Sequence, residues 1–228
     1  MLLAPVVGAL MALIVGLAAQ ALRDHASVAA PSALLAALAV AALAYLDRGL
    51  HLDGLADTAD ALGSALPSEE ALAIARRSDI GPFGVATIVL VLLIQVLAYA
   101  GLVDGGHASF SLVVAVGTSR LALVLACLRG VPAARGDGLG AAVAGSVPVW
   151  ASVLTILAWI AACCGAAAWL APDLMTATLA SIVGALVVAT GVVAVSIRRL
   201  GGITGDVLGA SIELTLAAAL VILVAVPA

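Results

Sequence analysis

Seven apolar runs, at 2–22, 26–46, 82–103, 108–128, 149–171, 174–197 and 212–227, decide what this 228-residue chain can fold into. Most reach the roughly 20 residues that carry an α-helix across a hydrocarbon layer, and only the last is short. Backbone polar groups inside such a layer must be satisfied internally, which leaves helices or a closed barrel. The alternating pattern of barrel strands is absent, and long Ala, Leu and Val runs read as helices. The chain is 65% hydrophobic, has a mean hydropathy of +1.30 and contains no lysine. Ordinary globular domains are only about half apolar, so a soluble domain is excluded. The expected fold is all-α: a polytopic integral membrane helical bundle of about seven transmembrane helices, with short cytoplasm-facing interfacial helices, forming one domain over 1–228. The 23 glycines imply close helix packing through small residues.

Orientation follows from arginine placement. Arg48, Arg76, Arg77, Arg129, Arg135, Arg198 and Arg199 lie in the connections after the second, fourth and sixth runs, while the opposite connections carry only Arg23. Basic residues mark the cytoplasmic side. The polar segments 47–80, 129–148 and 198–211 are therefore expected to share the cytoplasmic face of the cell membrane, with the N-terminus beside them and the C-terminus outside. A net charge of −4 speaks against nucleic-acid binding and leaves membrane lipid as the expected surrounding, with homo-oligomerisation left open. The first run has neither a basic leader nor a cleavage site and reads as a span. Cys127, Cys163 and Cys164 sit in apolar runs without metal-ligand spacing and read as packing residues.

Within 47–80, the stretch HLDGLADTAD at 51–60 places Asp53, Asp57 and Asp60 at spacings of four and three. On a helix these fall on one face. Clustered like charges destabilise a helix unless they protonate, spread or bind a cation, and oxygen ligands favour magnesium, manganese or calcium. A solvated acidic face is the ordinary reading of such a pattern. Here only 10% of the chain is charged, yet Asp47, Asp53, Asp57 and Asp60 lie within fourteen residues, which favours a cation site. A second short helix is expected from Ser68 to Arg77, with Glu69 and Glu70 structural at its start.

The remaining polar islands would lie at the same face. Arg120 interrupts the fourth apolar run, and an arginine at that depth generally faces a cavity or partner, here a phosphate or carboxylate, unless it snorkels to the interface. ARGDGLG at 134–140 combines Arg135 with three glycines, a pattern that suits an anion cradle or an ordinary turn. In RRLGGITGDVLGASIE at 198–213, Gly201, Gly202, Gly205 and Gly209 flank Asp206, and glycine permits close approach of backbone to ligand. Arg120, Arg135 and Arg199 are candidate phosphate clamps. Together these elements read as a site for metal-bound phosphates.

HLDGLADTADAL, RRSDIGPFG, ARGDGLG and RRLGGITGDVLGA, in this order and spacing, resemble the cobalamin synthase family, the adenosylcobinamide-GDP ribazoletransferases, over nearly the whole chain. The resemblance implies a multi-pass membrane enzyme that joins adenosylcobinamide-GDP to α-ribazole or its 5′-phosphate, releasing GMP. It also implies a divalent metal, Mg2+ or in its place Mn2+, held by Asp53, Asp57 and Asp60. Asp206 would be a further catalytic acid, and Arg76, Ser78, Gly202 and Gly205 would bind substrate beside the arginine clamps. His51 is a weaker base candidate, on the opposite helix face. The chain departs from the family pattern in Arg77 and Asp79, which exchange an acid and a base, in Val207 for a common threonine, and in Ala61 for a common glycine. It begins at the family's first long helix, without the short leading segment. Two alternatives are a CDP-alcohol phosphotransferase, whose pattern lacks its arginine here, and an ion-coupled transporter, whose site would lie at mid-membrane.

Overall fold

The computed structural model describes residues 1–25, 31–77 and 79–227. The helices are α1 (Ala4–His25), α2 (Ser32–Leu46), α3 (Leu50–Gly63), α4 (Ser68–Ile74), α5 (Pro82–Asp104), α6 (Ala108–Ala126), α7 (Gly138–Val143), α8 (Val149–Leu170), α9 (Met175–Leu200) and α10 (Gly205–Ala225). Among the described residues, six segments are long and apolar enough to cross a membrane: α1, α5, α6, α8, Pro172–Leu200, which includes α9, and α10. The second apolar run gives α2, which at 15 residues is about 22 Å long, short for a full crossing. Part of that expected run, 26–30, lies outside the described residues. After α2 the chain bends by 89° into α3, which packs on α10 and α5, with His51 beside Gly209 and Gly54 beside Asp206.

Contacts at the two ends show which connections lie together. At one end Ser32 hydrogen-bonds Asp104, and His107 Nε2 lies 2.8 Å from Asp173. At the other, Ser68 Oγ donates to Leu200 O at 2.8 Å, Arg76 meets Asp137, and Ala133 pairs with Ile203. The three polar segments therefore share one end, as the arginine pattern implies.

The most enclosed helices are α6 and α10. α10 packs on α3, α5, α6 and α9, and α1 lies along α6. Their buried faces carry small and branched residues such as Ala115, Ala122, Ala210 and Ala219. The outer helices turn Leu, Val and Trp outward, with Leu3, Leu170 and Trp169 all more than 70% exposed to what would be lipid.

Two boundaries differ from expectation. α10 begins at Gly205, not near 212, because Thr204 accepts a hydrogen bond from Val207 N–H at 3.2 Å and Asp206 sits at the positive end of the helix dipole. α4 ends at Ile74, short of Arg77, and the 129–148 connection contains the short helix α7.

Candidate active site

Asp53 and Asp57 stand on α3 one turn apart, and α3 lies directly on the start of α10. The contact is a backbone contact: a Cβ at Gly54 would sit 2.7 Å from Asp206 O. Only glycine permits that approach, and it carries Asp53 and Asp57 beside Asp206. Burial, then the negative charges of Asp53, Asp206 and Asp60, push the Asp57 carboxyl up to about 6, against the opposing pull of Arg135. Thr204 Oγ1 donates to Asp206 Oδ2 at 3.2 Å, fixing the last acid's orientation.

Arg135 reaches this group from the connection between α6 and α8. Burial and the neighbouring Arg76 lower its pKa, while Asp206, Asp137 and Asp57 support its charge. Its guanidinium donates to Leu72 O on α4. Arg76 Nη2 donates to both oxygens of Asp137, at 2.9 and 3.0 Å, in an exposed pair. An incoming phosphate can compete for such a pair, since an exposed ion pair is worth about 0–1 kcal/mol.

Two cavities meet at these arginines. One, of about 400 Å³, is walled by Arg76, Arg135, Asp137, Gly138, Thr204 and Asp206. The other, of about 540 Å³, lies against Ser68, Glu69, Leu72 and Ala73 and shares Arg76 and Arg135. Arg76 and Arg135 thus stand on the boundary, where a phosphate group joining two larger moieties would sit.

The structure separates residues that the sequence grouped. Asp60 shares the helix face of Asp53 and Asp57, but its oxygens accept the N–H groups of Gly81, at 2.7 Å, and Gly84, at 2.9 Å. It serves the start of α5, where Gly81 has no cap of its own and Pro82 begins the helix. The glycines of the GPFG stretch are explained by the same contact, because a Cβ at either would lie 2.5 Å from an Asp60 oxygen. Arg120 is likewise not at the cavities: its Nη2 donates to Asp47 Oδ2 at 2.9 Å, deep among α3, α6 and α10. Arg199 is exposed on the last turn of α9 and lines neither cavity.

Gly202 and Gly205 also divide. Gly202 packs against another backbone: a Cβ there would lie 2.4 Å from Pro132 O, beside the isolated Ala133–Ile203 bridge in which Ile203 N–H donates to Pro132 O and Ala134 N–H to Ile203 O. Gly205 lines the 400 Å³ cavity with room to spare, as its nearest neighbour would be Leu139 Cβ at 3.5 Å. Ser78 lies outside the described residues. Sequence reasoning missed Asp137 and Thr204 as wall residues. Thr204 was detectable as a threonine three positions before an apolar helical residue, an N-cap signal.

The family description for cobalamin-5-phosphate synthase matches residues 1–224. An adenosylcobinamide-GDP ribazoletransferase of Frankia casuarinae is 42% identical, the match covering 98% of this chain and 84% of the relative. Proteins of the same name from a Nocardioides species and from Pseudomonas syringae pv. syringae are 40% and 39% identical, over 96% and 81% of this chain and 84% and 73% of theirs. No solved structure matches the chain. A match over almost every residue, with polar segments gathered at one end of a helical membrane bundle, places this chain in the cobalamin-5-phosphate synthase family.

Proposed function

We propose that the acid- and arginine-lined end of the bundle carries out the transfer for which the relatives are named: adenosylcobinamide-GDP reacts with α-ribazole or its 5′-phosphate, and GMP leaves. The observation that carries this reading is the seating of Gly54 on Asp206, which gathers acids from two distant segments beside Arg76 and Arg135. A ribose hydroxyl oxygen forms the new bond to the cobinamide-bearing phosphorus. The bond from that phosphorus to the bridging oxygen breaks, and the oxygen departs on GMP. Arg76 and Arg135 neutralise phosphate oxygens from the boundary of the two cavities, and the acids at the cavity end receive the hydroxyl proton. Asp206 lines the cavity and is oriented by Thr204 for that task.

The donor set suits a hard divalent cation, being carboxylate oxygen throughout; burial and then repulsion from Asp53, Asp206 and Asp60 raise Asp57, and such an ion relieves the repulsion. Among the described residues no group of three His, Cys, Asp or Glu side chains is already closed around an ion. Magnesium does not need one, since it is commonly held by one or two carboxylates plus substrate phosphates. Asp53 and Asp57, with Asp206 opposite, would hold it; Asp60, further along α3, ties that helix to the start of α5. When bound, Mg2+, or Mn2+ in its place, lowers the charge on the phosphate oxygens.

The arginine-rich end faces the cytoplasm of the cell membrane in this reading. Purified protein given adenosylcobinamide-GDP, α-ribazole 5′-phosphate and magnesium should release GMP and form a cobamide; absence of both products rejects the assignment. Single cysteines in 129–148, on a background lacking the native three, should resist an impermeant thiol reagent in intact cells. Labelling from outside rejects the orientation.

A further inference from the structure

A second polar cluster lies apart from the cavities. Arg120 Nη2 donates to Asp47 Oδ2 at 2.9 Å, and Arg120 Nη1 lies 3.0 Å from His51 Nδ1. His51 Nδ1 is also 2.9 Å from Asp47 Oδ2 and 3.8 Å from Glu213 Oε1. Gln95 Nε2 donates to Glu213 Oε2 at 2.8 Å. Arg120, Glu213 and Gln95 are buried, and the space they enclose is about 10 Å³, too small for a phosphate group. These five residues come from the end of α2 and from α3, α5, α6 and α10.

Their position along the chain is what gives them a role. Asp47 and His51 flank the turn between α2 and α3, whose two intervening corner residues, Arg48 at φ 56° and Gly49 at φ 71°, are in the left-handed region. A non-glycine residue there is costly, so the corner needs holding from outside. Asp57 lies seven residues beyond Leu50, about 10 Å from the corner along the helix. A swing of about 10° would move it by nearly 2 Å, and misplacement of about 1 Å can cost on the order of a hundredfold in rate.

We propose that Asp47, His51, Arg120 and Glu213, steadied by Gln95, form a brace that fixes the α2–α3 bend and so positions Asp53 and Asp57 against Asp206. They are positioning residues, touching no substrate. Arg120 and Glu213 anchor the bend to α6 and α10, while the two glycine contacts seat α3 along α10: Gly54 against Asp206, and Gly209, whose Cβ would lie 3.1 Å from His51 Cα. The proposal rests on the reading of those acids as the reacting end of the molecule.

The brace and a phosphate clamp predict different kinetics for the same substitutions. Asp47→Asn, Glu213→Gln and Arg120→Gln should lower kcat on the order of a hundredfold with KM for either substrate changed less than about threefold. Arg120→Lys, which keeps the charge but loses the fork, should recover part of kcat. A rise in KM for adenosylcobinamide-GDP with kcat preserved overturns the brace and makes Arg120 a substrate ligand.

A second measurement requires no turnover. Nitroxides at Leu38 and Leu66, exposed on either side of the bend, should give one narrow distance distribution by pulsed electron resonance. The distribution should broaden or shift in Glu213→Gln and less so in Arg120→Lys. An unchanged distribution overturns the proposal even if activity falls. Normal turnover in Asp57→Asn, with the distance still responding to the brace variants, would instead sink the active-site reading alone.

Discussion

Helices α3 and α10 bring acids together twice, and the two meetings are opposite in kind. Near the corner, Asp47 and Glu213 meet Arg120 and His51, and each acid accepts a hydrogen bond. Two turns further along α3, Asp53 and Asp57 meet Asp206, and burial together with the neighbouring negative charges raises Asp57. Arg135 offsets this only in part and itself hydrogen-bonds elsewhere. The compensated cluster encloses too little space for a ligand; the uncompensated one reaches the 400 Å³ cavity through Asp206. A chain that settles one set of charges internally and leaves the other unsettled reserves the second for something that arrives with the substrate.

The largest effect should come from removing charge at the unsettled cluster. Asp57→Asn should lower turnover by on the order of a hundredfold or more, while the thermal midpoint stays the same or rises, because repulsion is relieved. Near-normal turnover at limiting magnesium would erase the contrast between the two clusters.

Asp60→Asn should behave differently from its neighbour on the helix face. Losing a carboxylate that accepts two amide hydrogen bonds should cost about 1.5–3 kcal/mol of stability, read as a lower denaturation midpoint, with the remaining folded protein still responsive to magnesium. If stability is unchanged and the metal response disappears, Asp60 belongs with Asp53 and Asp57 after all.

Much of this was legible from residues alone. Seven apolar runs and the arginine bias gave the bundle and the common end of 47–80, 129–148 and 198–211, because hydrocarbon thickness and backbone satisfaction leave few choices. The acidic face of α3 followed from helical period. Period cannot say which way a neighbouring backbone offers its N–H groups, so Asp60 could not be told from Asp57. Depth along a span, in turn, does not reveal a partner such as Asp47, which lies 73 residues from Arg120. Gly202 and Gly205 look alike in sequence because glycine enrichment reports close approach without saying whether ligand or backbone does the approaching.

The pH response should sharpen the contrast at a smaller scale. The Asp57 carboxyl stands at about 6 in the folded chain, above its ordinary 3.8, so the folded state binds more protons between those values than the unfolded one. Stability contributed by this group is therefore full below about pH 4 and lost as pH rises through about 6. Partial exposure to solvent reduces the size of the effect. Denaturation midpoints measured from pH 4 to 7 should fall more steeply for the native chain than for Asp57→Asn, and magnesium added above pH 6 should restore much of the difference. Parallel profiles would mean that neither burial nor the neighbouring acids hold the Asp57 carboxyl up.

The smallest expected effect separates the two glycines. Gly202→Ala forces a methyl group to within 2.4 Å of Pro132 O, a backbone atom that cannot yield without breaking the Ala133–Ile203 pairing. Overpacking of this kind costs about 1–3 kcal/mol and should appear as reduced stability. Gly205→Ala meets only ordinary contact with Leu139, at 3.5 Å, and lies in the first turn of α10, where alanine is a better helix former. Its methyl group projects toward the 400 Å³ cavity wall, so stability should hold while KM for one substrate rises by about two- to fivefold through lost ground-state binding. The reverse outcome, with Gly202→Ala stable but weak in binding, would move the ligand to the Pro132–Ala134 side of the connection and away from Asp206.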